Sequence, residues 1–542
     1  MRLRLLVIAS VLCSISVSAS AAVNWPLRVS ASHRSFEDQS GVPFLPVGDS
    51  PWTMAVHLSP AQMDTYFADR AAKGYTSILV MAISKYGDGT DYAGNRPFTN
   101  GDGDFSVRNE AYWQTLDTLL AKAKARDIVV LLAPAYLGYN CSASQGFCPE
   151  MQAQTDAAMY EYGQWIATRY RNQGNIIWVD GGDADASQYP PALSRVTAVK
   201  DGIASVLPNV LHTAHAGRNN EAARTYTWID IYSPYSECTN AAYRVKQEYD
   251  RTPARPLIYL EGTYENEGAD MGCLSSQSLW TYLGGGAGAN FGNKPIWNFE
   301  GGWDGSAGIG SAGSAQQSNI GKLMRSRAWW RLVTDYSNTV VTGGRGSVGD
   351  ATYVAAARTS DGETVMAHVP GYGAVTIDMT KVRGSSAKAW WFDPVGAATT
   401  LIGTYPTTGS RSFTPPTSYR VLVIDDAASG LLKPGTTLYP VPVPMPSVTG
   451  FRVTGAQVVR SGVIDLSFFW NHVTDAEGYR LYQANAPDGP WGDPLDCGLP
   501  CFDTDSDGQP DSCEFTWVEL ANDANAYFVV TAYNGSSESP KR

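Results

Sequence analysis

Short apolar runs alternate with stretches of helical periodicity through the first 340 residues. Eight runs read as strands: Pro43–Asp49, Ser77–Ile83, Ile128–Ala135, Asn175–Val179, Val210–His215, Trp228–Ser233, Pro256–Glu261 and Pro295–Phe299. Ser59–Lys73 opens on a Ser-Pro helix start, and Asn109–Arg126 sets Trp113, Leu116, Leu119, Leu120 and Ala123 on one helical face. Asp156–Arg171, Ala192–Val206, Asn240–Tyr249, Ser275–Leu283 and Ser318–Leu332 repeat the pattern, while the stretch around Arg218–Thr225 marks a fifth helix only weakly. Strands alternating with helices predict an α/β chain with a parallel sheet, and eight repeats predict closure into a (β/α)8 TIM barrel over residues 23–340.

Beyond residue 340 the helical intervals stop. Ala351–Ala357, Thr364–His368, Ala374–Asp378, Ala387–Phe392 and Tyr419–Ile424 are β-rich runs broken by Gly and Pro turns, which predicts an antiparallel β-sandwich over 341–428. Pro434, Pro440, Pro442, Pro444 and Pro446 make residues 429–446 a stiff, extended linker. From residue 447 to 542 the chain is strand-like again around Trp470, Tyr479–Tyr482 and Tyr527–Tyr533, and this module resembles a fibronectin type III β-sandwich.

The N-terminus changes the compartment expected for these domains. Met1-Arg2-Leu3-Arg4, the apolar Leu5–Val17 and the small residues Ser18–Ala22 read as a signal peptide over 1–22, too short to span a bilayer. The protein is therefore expected to be secreted or periplasmic, where disulfides can form. Cys141 and Cys148 could staple one loop, and Cys238 and Cys273 could pair across the barrel mouth. Of Cys497, Cys501 and Cys513, one must be left over. A formal charge of −12 argues against nucleic acid and anionic membrane partners. With 44% hydrophobic and 17% charged residues the chain is expected to fold, as a monomer, and its 16 Trp and 29 Tyr supply rings for core and for sugar stacking alike.

In such a barrel the active site forms at the C-terminal strand ends. Two runs end there on acids: Asn175 to Asp183, through Asp180-Gly181-Gly182, and Pro256 to Glu265, through Glu261-Gly262-Thr263-Tyr264. Glycosidic cleavage needs one carboxyl to protonate the leaving oxygen and a second to attack the anomeric carbon or help water do so. Asp183 and Glu261 fit by position. The bland alternatives are a helix cap for Asp183 and an ion pair for Glu261, and Asp180, Glu265 and Glu300 compete on the same face.

Seven segments in order carry a resemblance: Gly48–Trp52, Ala71–Tyr75, Asn109–Trp113, Trp178–Asp183, Thr213–His215, Glu261–Glu265 and Trp329–Leu332. Together they resemble the apiosidase-like catalytic domain of glycoside hydrolase family 140. Trp390–Pro394 and Phe413–Pro416 resemble the "collagen-binding" β-domain often fused to it, so that the likeness covers about residues 24–425. The resemblance implies a retaining hydrolase acting on a polysaccharide or its side chains, pectic glycans among them, with Asp183 as acid/base and Glu261 as nucleophile and no cofactor for catalysis. Asp183 would then hold a proton near neutral pH while Glu261 is ionised. Asp49, Asp180 and His215 are expected to bind the sugar, Asp49 against the alternative of a structural cap and His215 against that of a core histidine, and Trp52, Tyr264 and Trp297 are expected to stack on the substrate or else to fill the core. The chain differs from the family pattern at Asp180, where a leucine-like residue is usual, and over Ser233–Cys238, where a Gln-Ser-Gly-His type of segment is expected. Both differences bear on the sugar rather than the reaction.

A second site is expected in the last module. Asp503, Asp505, Asp507, Asp511 and Glu514 stand at positions 1, 3, 5, 9 and 12 of a loop with Gly508 at 6 and Gln509 at 7, the spacing of a calcium loop. Pro510 disfavours a flanking helix, so the loop resembles thrombospondin type 3 repeats, and the ion's role would be structural. The rival reading is a non-catalytic glycan- or collagen-binding adhesion protein, which the presence of both acids disfavours. A protease is disfavoured by the absence of a His-Glu-x-x-His or Gly-x-Ser-x-Gly motif.

Overall fold

The computed structural model describes residues 22–219, 226–299, 302–440, 448–460, 463–473, 476–484, 495–498, 501–502, 512–521, 527–534 and 537–539. Residues 1–21 of the expected signal peptide, Glu300, and Asp503 to Asp511 of the expected calcium loop lie outside the described residues, whereas Glu514 is an exposed residue of the strand Ser512–Ala521.

Seven parallel strands curl into one sheet: β1 (Val47–Asp49), β2 (Ser77–Met81), β3 (Val129–Ala133), β4 (Ile176–Gly181), β5 (His212–His215), β6 (Ile258–Tyr259) and β7 (Gly288–Phe291). Their order is β5-β4-β3-β2-β1-β7-β6. The gap between β5 and β6 is filled by the predicted sixth strand, which joins through single bridges instead of a ladder. The Asp230 carboxylate accepts from the His212 amide at 2.9 Å where a strand carbonyl would, and Pro234 has no N–H to give. Tyr232 N–H to Pro256 O (2.9 Å) and Asp230 N–H to His212 O (2.8 Å) still close the ring on both sides.

The predicted eighth strand is corrected. Pro295–Phe299 is not a strand, because Lys294–Trp297 winds into a helical turn with Pro295 in its first turn. The strand is β7, in a glycine-rich stretch that reads as a turn. Glycine is required there, since a Cβ on Gly288 would sit 2.7 Å from the Pro46 side chain.

Alternation along the strands separates two faces. Leu79, Met81, Leu131, Ala133, Ile177, Val179, Ile258 and Leu260 fill the barrel interior, while Ile78, Val80, Val130, Leu132, Ile176 and Trp178 pack outward under the helices. Helix α1 (Pro60–Ala72) begins in a capping box, Ser59 Oγ accepting from Gln62 N–H and Gln62 Oε1 from Ser59 N–H. Helix α2 (Glu110–Lys124) buries Trp113, Leu116, Leu119, Leu120 and Ala123, the stripe its sequence predicts.

Residues 332–426 form a six-stranded and a three-stranded antiparallel sheet. Helix α3 (Met271–Leu283) of the barrel packs on the strands Ala355–Thr359 and Thr364–Val369, with Trp280 Nε1–H donating to Tyr353 O (2.9 Å). Beside it Arg327 and Asp425 form a buried two-point ion pair at 2.8 and 2.7 Å. The described part of the last module comprises two four-stranded antiparallel sheets, with Cys501 bonded to Cys513 and Cys497 a free thiol. Among the described residues no helix is long and apolar enough to cross a membrane.

Candidate active site

The C-terminal ends of the strands open into a cavity of about 540 Å3 that Asp183 and Glu261 both line. Asp183 is delivered by the Gly-Gly turn ending β4. Gly181 has φ +95°, and a Cβ there would lie 2.6 Å from His215 O. A Cβ on Gly182 would lie 2.5 Å from the Leu137 nitrogen. Only glycines let β4 run this close to both neighbours before the chain turns the acid inward. Burial first, and then the charge of Glu261, raises the Asp183 pKa to about 6.

Glu261 follows β6, with its side chain 12% exposed. His215 Nε2, from the end of β5, lies 2.7 Å from Glu261 Oε2. Burial opposes protonation of His215, but the hydrogen bond and charge of Glu261 and the charge of Asp183 outweigh it and raise its pKa. Trp52 packs edge-on against His215 (5.3 Å between ring centres) and donates from Nε1 to Tyr264 OH (2.9 Å). Trp297 reaches the cavity from its helical turn, donating to Glu267 Oε1 at 3.0 Å and meeting the Tyr86 ring edge-on at 5.2 Å. Trp52, Tyr264, Trp297 and His215 thus stand together around the two acids.

Two other expected ligands stand elsewhere. Asp49 is 0% exposed and faces outward from β1, where Arg70 Nε and Tyr66 OH each donate to its Oδ2 at 2.6 Å. Its acceptor capacity is spent in the core, so it is not a sugar-binding residue. Asp180 shares its face of β4 with Trp178 and is 1% exposed, 2.8 Å from His212 Nδ1 behind the sheet. Alternation thus turns it away from the cavity that Asp183 enters. Glu265 is also accounted for, its carboxylate accepting from Gly313 N–H (2.9 Å) and Asn293 Nδ2 (3.0 Å) around a helix start.

Several cavity residues escaped sequence reasoning: Tyr86, Tyr136, Tyr139, Gln145, Arg218, Tyr235, Glu237 and Glu267. Tyr235 and Glu237 fall in Ser233–Cys238, the segment that departs from the family pattern, which was their signal. Arg218 lies over the Tyr235 ring (5.3 Å) and donates to its hydroxyl at 3.2 Å. The expected Cys141–Cys148 bond is present in the loop that carries Tyr139 and Gln145. Cys238 and Cys273 are thiols rather than a disulfide; they meet in a hydrogen bond that, with burial, pushes the Cys238 thiol up. The Cys238 amide is committed to Thr263 Oγ1 (3.2 Å), and Cys273 lies in the first turn of α3, its amide held by the Asp270 cap at 2.7 Å.

Residues 30–331, more than half of the chain, match the model of the apiosidase-like catalytic domain, and residues 339–425 match that of a "collagen-binding" domain described from a collagenase. Among solved structures, a glycoside hydrolase family 5 protein from Bacteroides vulgatus is 21% identical with a TM-score of 0.66, over 78% of this chain and 99% of its own. A second structure, described as a glycoside hydrolase, is 20% identical with a TM-score of 0.65, over 76% of this chain and 98% of its own. These two likenesses show the fold. No curated protein matches the chain.

Proposed function

The chain belongs to the apiosidase-like family of glycoside hydrolases, and on that premise we propose that it is an exported, retaining glycosidase that cleaves sugars from a polysaccharide or its side chains. Asp183 protonates the leaving oxygen, and Glu261 attacks the anomeric carbon to form a glycosyl-enzyme. Asp183, now deprotonated, then activates the water that releases the sugar. The observation that carries this reading is two carboxyls on one cavity whose environments differ. Asp183 is half-buried and proton-holding to about pH 6, whereas Glu261 is bonded to His215. Paired acids pushed to different tasks are the pattern that assigns an acid and a nucleophile.

His215 holds Glu261 in place through the contact between Nε2 and Oε2. Trp52, Tyr264 and Trp297 form the walls against which an apolar sugar face can lie. Pectic glycans enter as one candidate substrate through the family likeness, beside other polysaccharide side chains. The test is to incubate the mature protein with pectic, hemicellulosic and arabinose-containing glycans and to follow the product by proton NMR. A first-formed product of retained anomeric configuration is expected. First-formed product of inverted configuration would remove Glu261 from the nucleophile's role.

A further inference from the structure

We propose that Tyr139 and Gln145, on the disulfide-bridged loop Leu137–Cys148, form the subsite for the leaving-group sugar, Tyr139 as a stacking platform and Gln145 as a hydroxyl donor. The inference rests on the acid/base reading of Asp183. Tyr139 is 55% exposed, yet it belongs to the cavity wall. A single exposed ring needs no explanation by itself. This one is held in place by an unusual backbone. Gly138, Asn140 and Cys141 have φ of 89°, 48° and 61°, and left-handed conformations at non-glycine residues persist only where the surroundings enforce them.

The enforcement is visible. The Cys141–Cys148 bond closes the loop, Phe147 N–H donates to Tyr136 O at 2.8 Å, and Gly146 packs so closely that a Cβ would lie 2.3 Å from Gly138 N. A backbone fixed before the sugar arrives leaves only the two side-chain torsions of Tyr139 to be ordered on binding, a small entropy cost for a large contact surface. Tyr139 N–H donates to Gln145 Oε1 at 3.1 Å, so the Nε2 end of Gln145 is the one left to donate to a hydroxyl.

The loop's ties place it beside the acid. Leu137 N–H donates to Gly181 O (3.2 Å) and Asn140 N–H to Asp183 O (2.9 Å), anchoring it to the strand end that carries Asp183. An acid that protonates the leaving oxygen has the leaving group beside it.

The test uses full-length Glu261→Gln protein, titrated calorimetrically with an oligosaccharide fraction of partly digested pectin that the native protein cleaves, and separately with the monosaccharide that cleavage releases. In that background Tyr139→Ala is expected to bind the oligosaccharides at least tenfold more weakly and Tyr139→Phe within twofold, with the Cys141→Ala/Cys148→Ala pair falling between. The loss for the released monosaccharide should be at least fivefold smaller. Unchanged oligosaccharide affinity in Tyr139→Ala, or equal losses for both ligands, would overturn the subsite while leaving Asp183 and Glu261 in their roles. Native protein that cleaves and binds none of these glycans would overturn the functional reading, and the subsite with it.

Discussion

Asp183 spends stability on function. Its pKa is raised in the folded protein from 3.8 to about 6, so folding favours the protonated form. The contribution is fully present below about pH 4 and is lost as pH rises through 6. Two results should follow. The kcat/KM of the native protein should decline above about pH 6 as the acid loses its proton, and Asp183→Asn should lose about 10²–10⁴-fold in rate together with that limb. The same variant should unfold at higher temperature than native protein near pH 7.5, by at most roughly 3 kcal/mol in stability, because the neutral amide avoids the penalty that burial and the Glu261 charge place on an ionised carboxylate. A variant that is slow but no more stable would mean that the carboxyl is less buried than its surroundings indicate. Asp49 and Asp180 mark the limit of reading single residues. Both adjoin strand ends on the right side of the barrel, but one residue of offset turns a side chain outward, and the apolar runs around them do not reveal which parity faces the interior.

At the scale of elements, the joint between barrel and β-sandwich carries the clearest energetic claim. Trp280, Leu279, Tyr353, Ala355, Met366, Val421 and Val423 belong to one apolar cluster, so the barrel's flank and the first sheet share a core. The Arg327–Asp425 pair lies beside it with side chains 1% and 3% exposed, and Thr364 Oγ1–H adds a bond to Asp425 at 2.8 Å. Asp425→Ala leaves a buried guanidinium unpaired and should cost about 3–5 kcal/mol, measured as a fall in the urea midpoint of the intact protein. A change under about 1 kcal/mol would show the pair to be as weak as a surface bridge. Such docking gives the sandwich a buttressing role on the barrel's flank. Strands and helices with strong periodicity were legible in sequence, α2 with its Trp113 stripe among them. β7 was not, because the glycines that let it pass Pro46 are the residues that ordinarily announce a turn. Pro295, read as a strand start, instead stands in the first turn of a short helix.

Over the whole molecule, the order of barrel, sandwich and third module was readable because each changes the texture of the chain. The cavity's outer wall was not, because Tyr86, Tyr139 and Glu267 come from loops whose meeting depends on barrel closure rather than on local pattern. For the Asp503–Glu514 loop, calcium binding is expected to hold the last module together, so EDTA should lower the melting of residues 447–542 and added calcium restore it. Unchanged melting would remove the ion from the account. The central claim, that Asp183 and Glu261 are the reacting pair, bears most directly on one measurement: release of sugar from pectic glycans by native protein and by Glu261→Ala at equal concentration, with thermal midpoints compared. Native protein is expected to release sugar, and Glu261→Ala to release virtually none while melting within a few degrees of it. Sugar release by Glu261→Ala at the native rate would contradict the account.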